Sequence, residues 1–334
     1  MRTEAIVATS IGGPEVLEMS SIELAWPGSP TDVLVRLHAA SLNPADVWFR
    51  SLGPYVQGPG PLVLGHDGAG TVEAVGPAVR RIKPGDRVAF CFGGIGADPG
   101  TYARHAVVNE HFLAVIPDGL EFATAAALPL VSITAVEALV DRVAIQAGET
   151  LLVHGGAGGT GHVAVQIGRL AGARVAATVS TPEKSDLVRR LGAERTIDYR
   201  DADFVTATRD WTGDAGLRAA FDNQGGEVLQ RTFKAMAPYG RIATLIGLAG
   251  DDGETSAYNL NLSVHMVMML TPMWLGLRDR LVAQRQIVER ALADAASGRL
   301  QVHITETVPL KEAAVAHQRL ERGGMMGKIV LSIA

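Results

Sequence analysis

Residues 150–161 of the chain read Thr-Leu-Leu-Val-His-Gly-Gly-Ala-Gly-Gly-Thr-Gly, and this stretch decides the fold. A short apolar run that is typical of a buried strand enters a cluster of glycines, and beyond it apolar residues recur at the spacing of one helical face. Gly156, Gly158 and Gly161 match the G-x-G-x-x-G pattern, in which glycines allow a tight turn and a close approach of backbone to a pyrophosphate. The stretch predicts the opening of a dinucleotide-binding domain; an ordinary glycine-rich turn is the alternative.

The segment after this loop alternates strands with helices. Thr181 is placed to cap a helix that begins at Pro182, and Gly192 stands where that helix would end. The apolar runs predict further strands and a second helix, namely strands at Arg174–Val179, Arg195–Ile197, Leu217–Phe221 and Arg241–Ile246 and a helix at Glu227–Ala237. Because such alternation produces right-handed crossovers, the pattern predicts an α/β fold with a doubly wound parallel sheet.

Residues 1 to about 115 follow a different pattern, with short strands separated by glycine and proline turns. The predicted strands are Thr3–Thr9, Asp32–Ala39, Gly70–Val75, Arg87–Phe92 and Tyr102–Val108. They indicate a small barrel or sandwich. From about Phe122 the composition becomes alanine-rich, with a helix at Ile133–Val143, and this change marks a domain boundary.

The final part of the chain contains a helix at Arg280–Ala296, a helix at Lys311–Arg322 and a strand at Lys328–Leu331. A six-stranded nucleotide-binding sheet is already complete before about residue 270. We therefore expect these last elements to rejoin the first domain.

Composition narrows the classes of protein. The chain has 334 residues, 47% of them hydrophobic, a net charge of −5 and a pI near 6.0. These values fit a globular protein of two domains and give no electrostatic support for binding nucleic acid. No apolar run is long enough to span a membrane and no signal peptide is recognised, so the sequence predicts a cytoplasmic protein. The single cysteine, Cys91, excludes an internal disulfide and is predicted to be buried.

The choice of dinucleotide depends on the residue that ends the second strand of the sheet. NAD-binding domains carry an acidic residue there, about twenty residues beyond the glycine loop, to bind the ribose. Ser180 takes that place here and is followed by Thr181 and Lys184. Hydroxyl groups and a cation suit a 2′-phosphate, so the sequence predicts NADPH; the alternative for Lys184 is a solvated helix residue.

Several segments, in this order and spacing, resemble the medium-chain dehydrogenase/reductase superfamily. They are the Asn43-x-x-Asp46 loop, Arg50–Tyr55, Gly65–Val72, Lys83–Val88, Gly100–Ala103, Leu130–Thr134, His154–Gly161 and Gly327–Leu331. Within the superfamily the chain is similar to the zinc-less NADPH:quinone oxidoreductase group, which is also called zeta-crystallin-like. The resemblance implies a GroES-like catalytic domain at residues 1–125, completed by 275–334, and a Rossmann NADP-binding domain at 126–274.

The resemblance also implies the site residues. Asn43 and Tyr55 are the predicted catalytic residues; Trp48 stands where some relatives have a tyrosine. The predicted cofactor-binding residues are Asn43, Thr134, Gly156, Ala157, Gly158, Gly159, Thr160, Gly161, Ser180, Lys184, Tyr199, Asn223, Leu245, Gly247 and Lys328. For Asn43 a role in a turn is the alternative, and for Tyr199 a packed surface aromatic.

The zinc-dependent relatives differ at the positions that bind the metal. They hold zinc with a cysteine at the position of Asn43, a histidine at His66 and a third ligand near Leu130, and only the histidine is retained here. Because a catalytic zinc needs three protein ligands, the sequence predicts no metal. His66 and Asp67 are interpreted as a structural pair with satisfied hydrogen bonds.

Without a Lewis acid, the acceptor must be one that needs little polarisation, such as a quinone. The predicted reaction is the NADPH-dependent, zinc-independent reduction of a quinone. Two alternatives remain: an enone or 2-enoyl double-bond reductase, and a non-enzymatic, crystallin-like NADPH-binding protein. The resemblance further implies a homodimer, for which Val264–Leu270 is the candidate edge strand.

Overall fold

The computed structural model describes residues 1–58, 60–247 and 254–334. The chain forms two compact units: unit 1 comprises Met1–Leu130 and Leu270–Ala334, and unit 2 comprises Val131–Met269. Each unit encloses its own buried apolar core. Among the residues described, no helix combines the length and apolar character needed to cross a membrane.

The strands follow one another along the chain as β1 (Arg2–Ala8), β2 (Leu17–Glu23), β3 (Asp32–Ser41), β4 (Leu62–Val63), β5 (Asp67–Val75), β6 (Arg87–Cys91), β7 (His105–Asn109), β8 (Ala114–Val115), β9 (Thr150–Val153), β10 (Arg174–Val179), β11 (Arg195–Asp198), β12 (Leu217–Asp222), β13 (Met236–Thr244), β14 (Ser263–Met266), β15 (Ile304–Pro309) and β16 (Lys328–Ser332). The helices are α1 (Pro44–Leu52), α2 (Phe122–Ala126), α3 (Pro129–Val136), α4 (Gly161–Leu170), α5 (Pro182–Arg190), α6 (Phe204–Thr212), α7 (Gly226–Phe233), α8 (Glu254–Asn259), α9 (Thr271–Trp274), α10 (Arg278–Ala296) and α11 (Ala313–Glu321), with a π-helical turn at Glu137–Arg142.

Unit 1 is built on two sheets. One has three antiparallel strands in the order β2-β1-β4, and the other has seven strands in the order β15-β16-β3-β5-β6-β8, with β7 also paired to β3. Strand β16 lies inside the larger sheet, parallel to β15 and antiparallel to β3. Residues from both ends of the chain therefore build one sheet.

Unit 2 contains a parallel sheet of six strands in the order β11-β10-β9-β12-β13-β14. The strand order reverses between β9 and β12, and at such a point parallel sheets bind ligands beyond the carboxyl ends of their strands. Thr181 caps α5, because its hydroxyl accepts from the Lys184 N–H and Pro182 occupies the first helical position. The α/β fold with a doubly wound sheet is confirmed.

The predicted boundaries were wrong at several places. The helix predicted at Glu227–Ala237 ends at Phe233, and the following strand begins at Met236 and ends at Thr244, so it does not cover the predicted Arg241–Ile246. The strand is irregular near its start: its pairing with β12 shifts register between Met236 and Arg241, and Tyr239 in that interval has a positive φ of 60°. The helix predicted at Ile133–Val143 begins at Pro129 and becomes π-helical, and strands β2, β4 and β8 were missed. Cys91 is buried, as predicted.

Candidate functional site

The glycine loop between β9 and α4 is built as its sequence predicts. A Cβ on Gly156 would lie 2.6 Å from Ala177 Cβ, and one on Gly161 would lie 2.2 Å from the carbonyl oxygen of Gly155. Within the described residues, the N–H groups of Gly159 and Thr160 donate to no other group of the chain. Glycines therefore allow the close packing of the turn, and free amide donors at the start of α4 fit a pyrophosphate.

Ser180, Lys184 and Tyr199 lie together beyond the carboxyl ends of β10 and β11. Lys184 Nζ donates to Ser180 Oγ at 2.9 Å. Since Val179 and Asp198 are partners in the sheet, the residues that follow them, Ser180 and Tyr199, emerge side by side. The Tyr199 side chain is 54% exposed, whereas Ser180 is buried. The group offers a cation and two hydroxyls, and the residue that follows β10 is Ser180 in place of an acidic one.

Asn223, Leu245 and Gly247 follow the next two strands of the same sheet. Asn223 follows β12, and its Oδ1 would be 3.1 Å from a Cβ on Gly155, so it borders the glycine loop. The Leu245 N–H donates to Asp222 O at 2.9 Å, and Gly247 has a φ of 90°. Thr134 is buried in unit 2. Except for Thr134, the predicted residues of unit 2 thus lie at the carboxyl end of the parallel sheet.

In unit 1, Asn43 and Lys328 meet in a buried polar cluster with Asp67. Lys328 Nζ donates to Asn43 Oδ1 at 2.5 Å and to Leu42 O at 2.7 Å. Asn43 Nδ2 donates to Asp67 Oδ2 at 2.9 Å and to Ser41 O at 3.4 Å. Both amide hydrogens of Asn43 are therefore already bonded within the protein, and its side chain is oriented by a cation on one side and a carboxylate on the other.

Burial dominates the ionisation of this cluster. Desolvation raises the pKa of Asp67, although the Lys328 ammonium, the Asn43 amide and the Leu130 N–H act in the other direction. Desolvation likewise lowers the pKa of Lys328, against the attraction of Asp67 at 3.7 Å. The pKa of the Cys91 thiol is raised by its burial and by the neighbouring carboxylates, so the thiol stays protonated.

Tyr55 lies among aromatic rings. Its ring stacks on Trp274 with centroids 4.7 Å apart and meets Phe49 edge-on at 4.9 Å. The side chain is 44% exposed. The stack brings Tyr55 against Trp274, which belongs to the same unit but is distant in the sequence.

A second buried chain of polar groups holds the Asn43 loop. Asp46 accepts from the backbone N–H of Asn43 at 2.8 Å and of Gly65 at 2.9 Å, and Tyr102 Oη donates to it at 3.3 Å. The chain continues from Tyr102 through His317 to the buried Arg50, which pairs with Glu321. Burial lowers the pKa of His317 to about 4, so the imidazole is neutral near pH 7.

In the part of the chain that the structure describes, His66 belongs to no group of three His, Cys, Asp or Glu side chains that could hold a metal ion. His66 Nδ1 lies 2.7 Å from the carbonyl oxygen of Gly93, and Nε2 lies 3.6 Å from Asp46 Oδ1 without a hydrogen bond. The predicted pairing of His66 with Asp67 was therefore wrong, because Asp67 bonds to Asn43 and Leu130 instead. The position of a first metal ligand is taken by Asn43, whose oxygen accepts from the Lys328 ammonium.

Sequence reasoning missed part of these clusters. Asp46 was quoted only as part of a motif, and Asp67 only as a partner of His66. Arg50 and Tyr102 were likewise quoted only within family segments, and His317 was not singled out, because their partners lie far away along the chain. His154, next to the glycine loop, could have been noticed from its place in the motif.

Comparisons with known proteins agree with this arrangement. Residues 29–118 match the family model "Alcohol dehydrogenase GroES-like domain", and residues 191–331 match "Zinc-binding dehydrogenase". The chain is 35% identical to a quinone oxidoreductase of Pseudomonas aeruginosa, with 96% of each protein covered. It is 31% identical to a 2-haloacrylate reductase of Burkholderia, with 98% of each covered. A mycobacterial protein solved in complex with NADPH is 29% identical, with a TM-score of 0.84 over 99% of this chain and 100% of that one.

A GroES-like unit joined to a Rossmann unit defines a nicotinamide-dependent oxidoreductase. The chain belongs to the medium-chain dehydrogenase/reductase superfamily and is similar to its quinone oxidoreductases. It is an enzyme with a small-molecule substrate, and the non-enzymatic alternative is set aside on these similarities.

Proposed function

We propose that this protein reduces quinones with NADPH and without zinc. The observation that carries the proposal is the contact of Lys184 with Ser180 beyond β10, where an NAD-preferring protein has a carboxylate. The similarity to quinone oxidoreductases supports the acceptor. The Lys328 ammonium, bonded to the residue at the position of a metal ligand, supports independence from zinc.

The unit 2 residues would hold the cofactor. The proposed contacts are the N–H groups of Gly159 and Thr160, within the Gly156–Gly161 loop, to the pyrophosphate. The side chains of Ser180, Lys184 and Tyr199 would contact the 2′-phosphate, with Thr134, Asn223, Leu245 and Gly247 along the rest of the molecule. When bound, the nicotinamide cofactor supplies a hydride to the acceptor. Donors that the fold already orients would stabilise the bound cofactor without reorganisation.

The unit 1 residues have different proposed roles. Asn43 keeps one defined orientation, since Lys328 and Asp67 hold its amide, and it would present a fixed polar edge to the nicotinamide and acceptor. Tyr55, partly exposed and stacked on Trp274, would donate a hydrogen bond from Oη to the acceptor oxygen as negative charge develops there.

Replacing Lys184 by alanine is expected to raise the Kd for NADPH about 10- to 100-fold and to leave the Kd for NADH nearly unchanged. The reason is that a charge-assisted hydrogen bond to a phosphate contributes about 1.5–3 kcal/mol, and only NADPH carries the 2′-phosphate. Calorimetric titration measures both constants. Lys234→Ala, at an exposed lysine of the same unit, is the matched control. Tighter binding of NADH than NADPH by the wild type would contradict the proposed cofactor.

The acceptor is tested by following NADPH oxidation against ortho- and para-quinones, enones and enoyl thioesters. Quinone-dependent turnover is the expected result. The second candidate, a reductase of conjugated double bonds, is favoured by the similarity to 2-haloacrylate reductase. Turnover with enones or thioesters but not with quinones would select that candidate.

A homodimer and a cytoplasmic location belong to the proposal. Strand β14 lies at one edge of the six-stranded sheet, and Met266 on it is 64% exposed. An exposed apolar edge is a surface on which a second copy can pair. Light scattering is expected to give twice the 35.1 kDa of one chain, and a stable monomer at micromolar concentration would contradict the dimer.

A further inference from the structure

His154, the residue directly before the glycine loop, is buried in unit 2 and bonds to two other elements. Its Nε2 lies 2.8 Å from Thr232 Oγ1 on α7, and its Nδ1 lies 3.4 Å from Thr178 Oγ1 on β10. The edge of its ring packs against Phe204, with centroids 4.9 Å apart. The imidazole, directly after β9, therefore links this strand to the neighbouring strand β10 and to helix α7.

The hydrogens of this chain of bonds can be assigned one at a time. Thr232 Oγ1 donates its hydrogen to Val228 O at 2.7 Å, so it must accept from His154 Nε2–H. Thr178 Oγ1 accepts from the Gly155 N–H at 2.9 Å, and its own hydrogen points to His154 Nδ1. The neutral imidazole with its hydrogen on Nε2 satisfies every bond and leaves each hydroxyl hydrogen with an acceptor. Burial, opposed by Asp222, lowers the pKa of His154 to about 4 and keeps it in that form.

The chain of bonds ends at the turn that starts the glycine loop. Gly155 has a φ of 57°, a conformation in which side-chain-bearing residues are rare. Its N–H donates to Thr178 Oγ1, and the next N–H, of Gly156, donates to Thr178 O at 3.0 Å. Thr178 therefore fixes both amides at the entrance of the loop, and His154 orients the hydroxyl of Thr178.

We propose that His154 is a positioning residue for the dinucleotide: acting through Thr178, it sets the turn at Gly155 and so the direction of the loop amides. It would make no contact with the cofactor itself. The inference rests on the nicotinamide-dependent activity of the family and not on the choice between NADPH and NADH, because both carry the same pyrophosphate.

The test uses isosteric and conservative variants at each point of the chain of bonds. Thr178→Val and Thr232→Val keep the shape and remove the hydroxyl, His154→Phe keeps the ring, and Thr178→Ser and Thr232→Ser keep the hydroxyl. Titration calorimetry gives the Kd for NADPH and for NADH, and urea unfolding gives the stability. We expect the two valine variants and His154→Phe to raise the Kd values for NADPH and for NADH by about tenfold, which corresponds to the free energy of one hydrogen bond. The serine variants keep the hydroxyl and are expected to bind both cofactors as the wild type does.

The two measurements distinguish a role of His154 in positioning the loop amides from a role only in the stability of the fold. Unfolding free energies that fall while both Kd values stay at the wild-type level would overturn the inference. So would an effect of Thr178→Val that Thr232→Val and His154→Phe do not share, since the imidazole would then orient nothing. An equal rise of the Kd values for NADPH and NADH in the His154 and threonine variants supports the inference. It does so even if Lys184→Ala changes the two Kd values alike, a result that would contradict only the proposed choice of NADPH.

Discussion

Replacing Lys328 by methionine is expected to lower the free energy of unfolding by about 3–5 kcal/mol, the usual effect of removing one partner of a buried ion pair. Methionine has a similar length and no charge. The variant loses the bonds to Leu42 O and Asn43 Oδ1, and Asp67 keeps the N–H donors of Asn43 and Leu130 but no cation. Urea unfolding at neutral pH measures the difference.

The control removes the second charge as well. In Lys328→Met/Asp67→Asn no unpaired carboxylate remains, so the double variant is expected to be more stable than the single one. Turnover should stay low in both variants, because neither holds the Asn43 amide from both sides. If Lys328→Met were as stable as the wild type, the ammonium and the carboxylate would not be paired in the folded protein.

Lowering the pH from about 7.5 to about 5 is expected to remove about 4 kcal/mol of stability through two buried histidines. Burial lowers the pKa of both His154 and His317 from 6.5 to about 4. Between these values the unfolded chain binds a proton at each histidine and the folded protein does not. Stability is therefore full above pH 6.5 and falls as the pH approaches 4.

The size of the effect follows from the two pKa values. One pKa unit corresponds to about 1.4 kcal/mol, so the interval from 6.5 to about 5 gives about 2 kcal/mol for each histidine. Arg50 beside His317 adds to the lowering, whereas Asp46 and Glu321 oppose it, as Asp222 does for His154. Urea unfolding at several pH values gives the slope.

The variant His317→Gln is the control for the dependence of the unfolding free energy on pH. Its side-chain amide can still donate toward Tyr102, and it does not titrate. The variant is expected to lose about 2 kcal/mol less than the wild type over the same pH interval. An unfolding free energy of the wild type that stays level between pH 7.5 and about 5 would contradict the assignment of neutral, buried histidines.

The parts of the fold that the sequence predicts are those with a local cause. The turn after β9 needs glycines within a few residues of one another, and α5 begins at a capping threonine followed by proline, so both are visible in short windows. The end of α7 is not visible in a short window, because Ala235 and Ala237 favour a helix and the pairing of Met236 with Leu217 in the sheet overrides that preference.

In the candidate site, too, features with a local sequence pattern could be predicted, and contacts between distant parts of the chain could not. The family, the fold and the enzymatic nature of the protein were predicted correctly from ordered motifs. The partners of Asn43 could not be derived, since Lys328 is 285 residues away and the sheet that joins them forms only in the folded chain. The role of each site residue stays a prediction.

Strand β16 lies inside the larger sheet of unit 1 but is synthesised after the whole of unit 2. A ribosome releases the whole of unit 2 before it releases Lys328, so the contiguous nucleotide-binding segment can fold while the larger sheet of unit 1 still lacks an interior strand. Until β16 inserts beside β3, the nascent protein carries Asp67 without its cation, and residues 39–41 of β3 lack the strand that pairs with them in the folded protein. Assembly of the Asn43 cluster therefore requires β16, and a chain interrupted before Lys328 lacks the cation that this cluster needs.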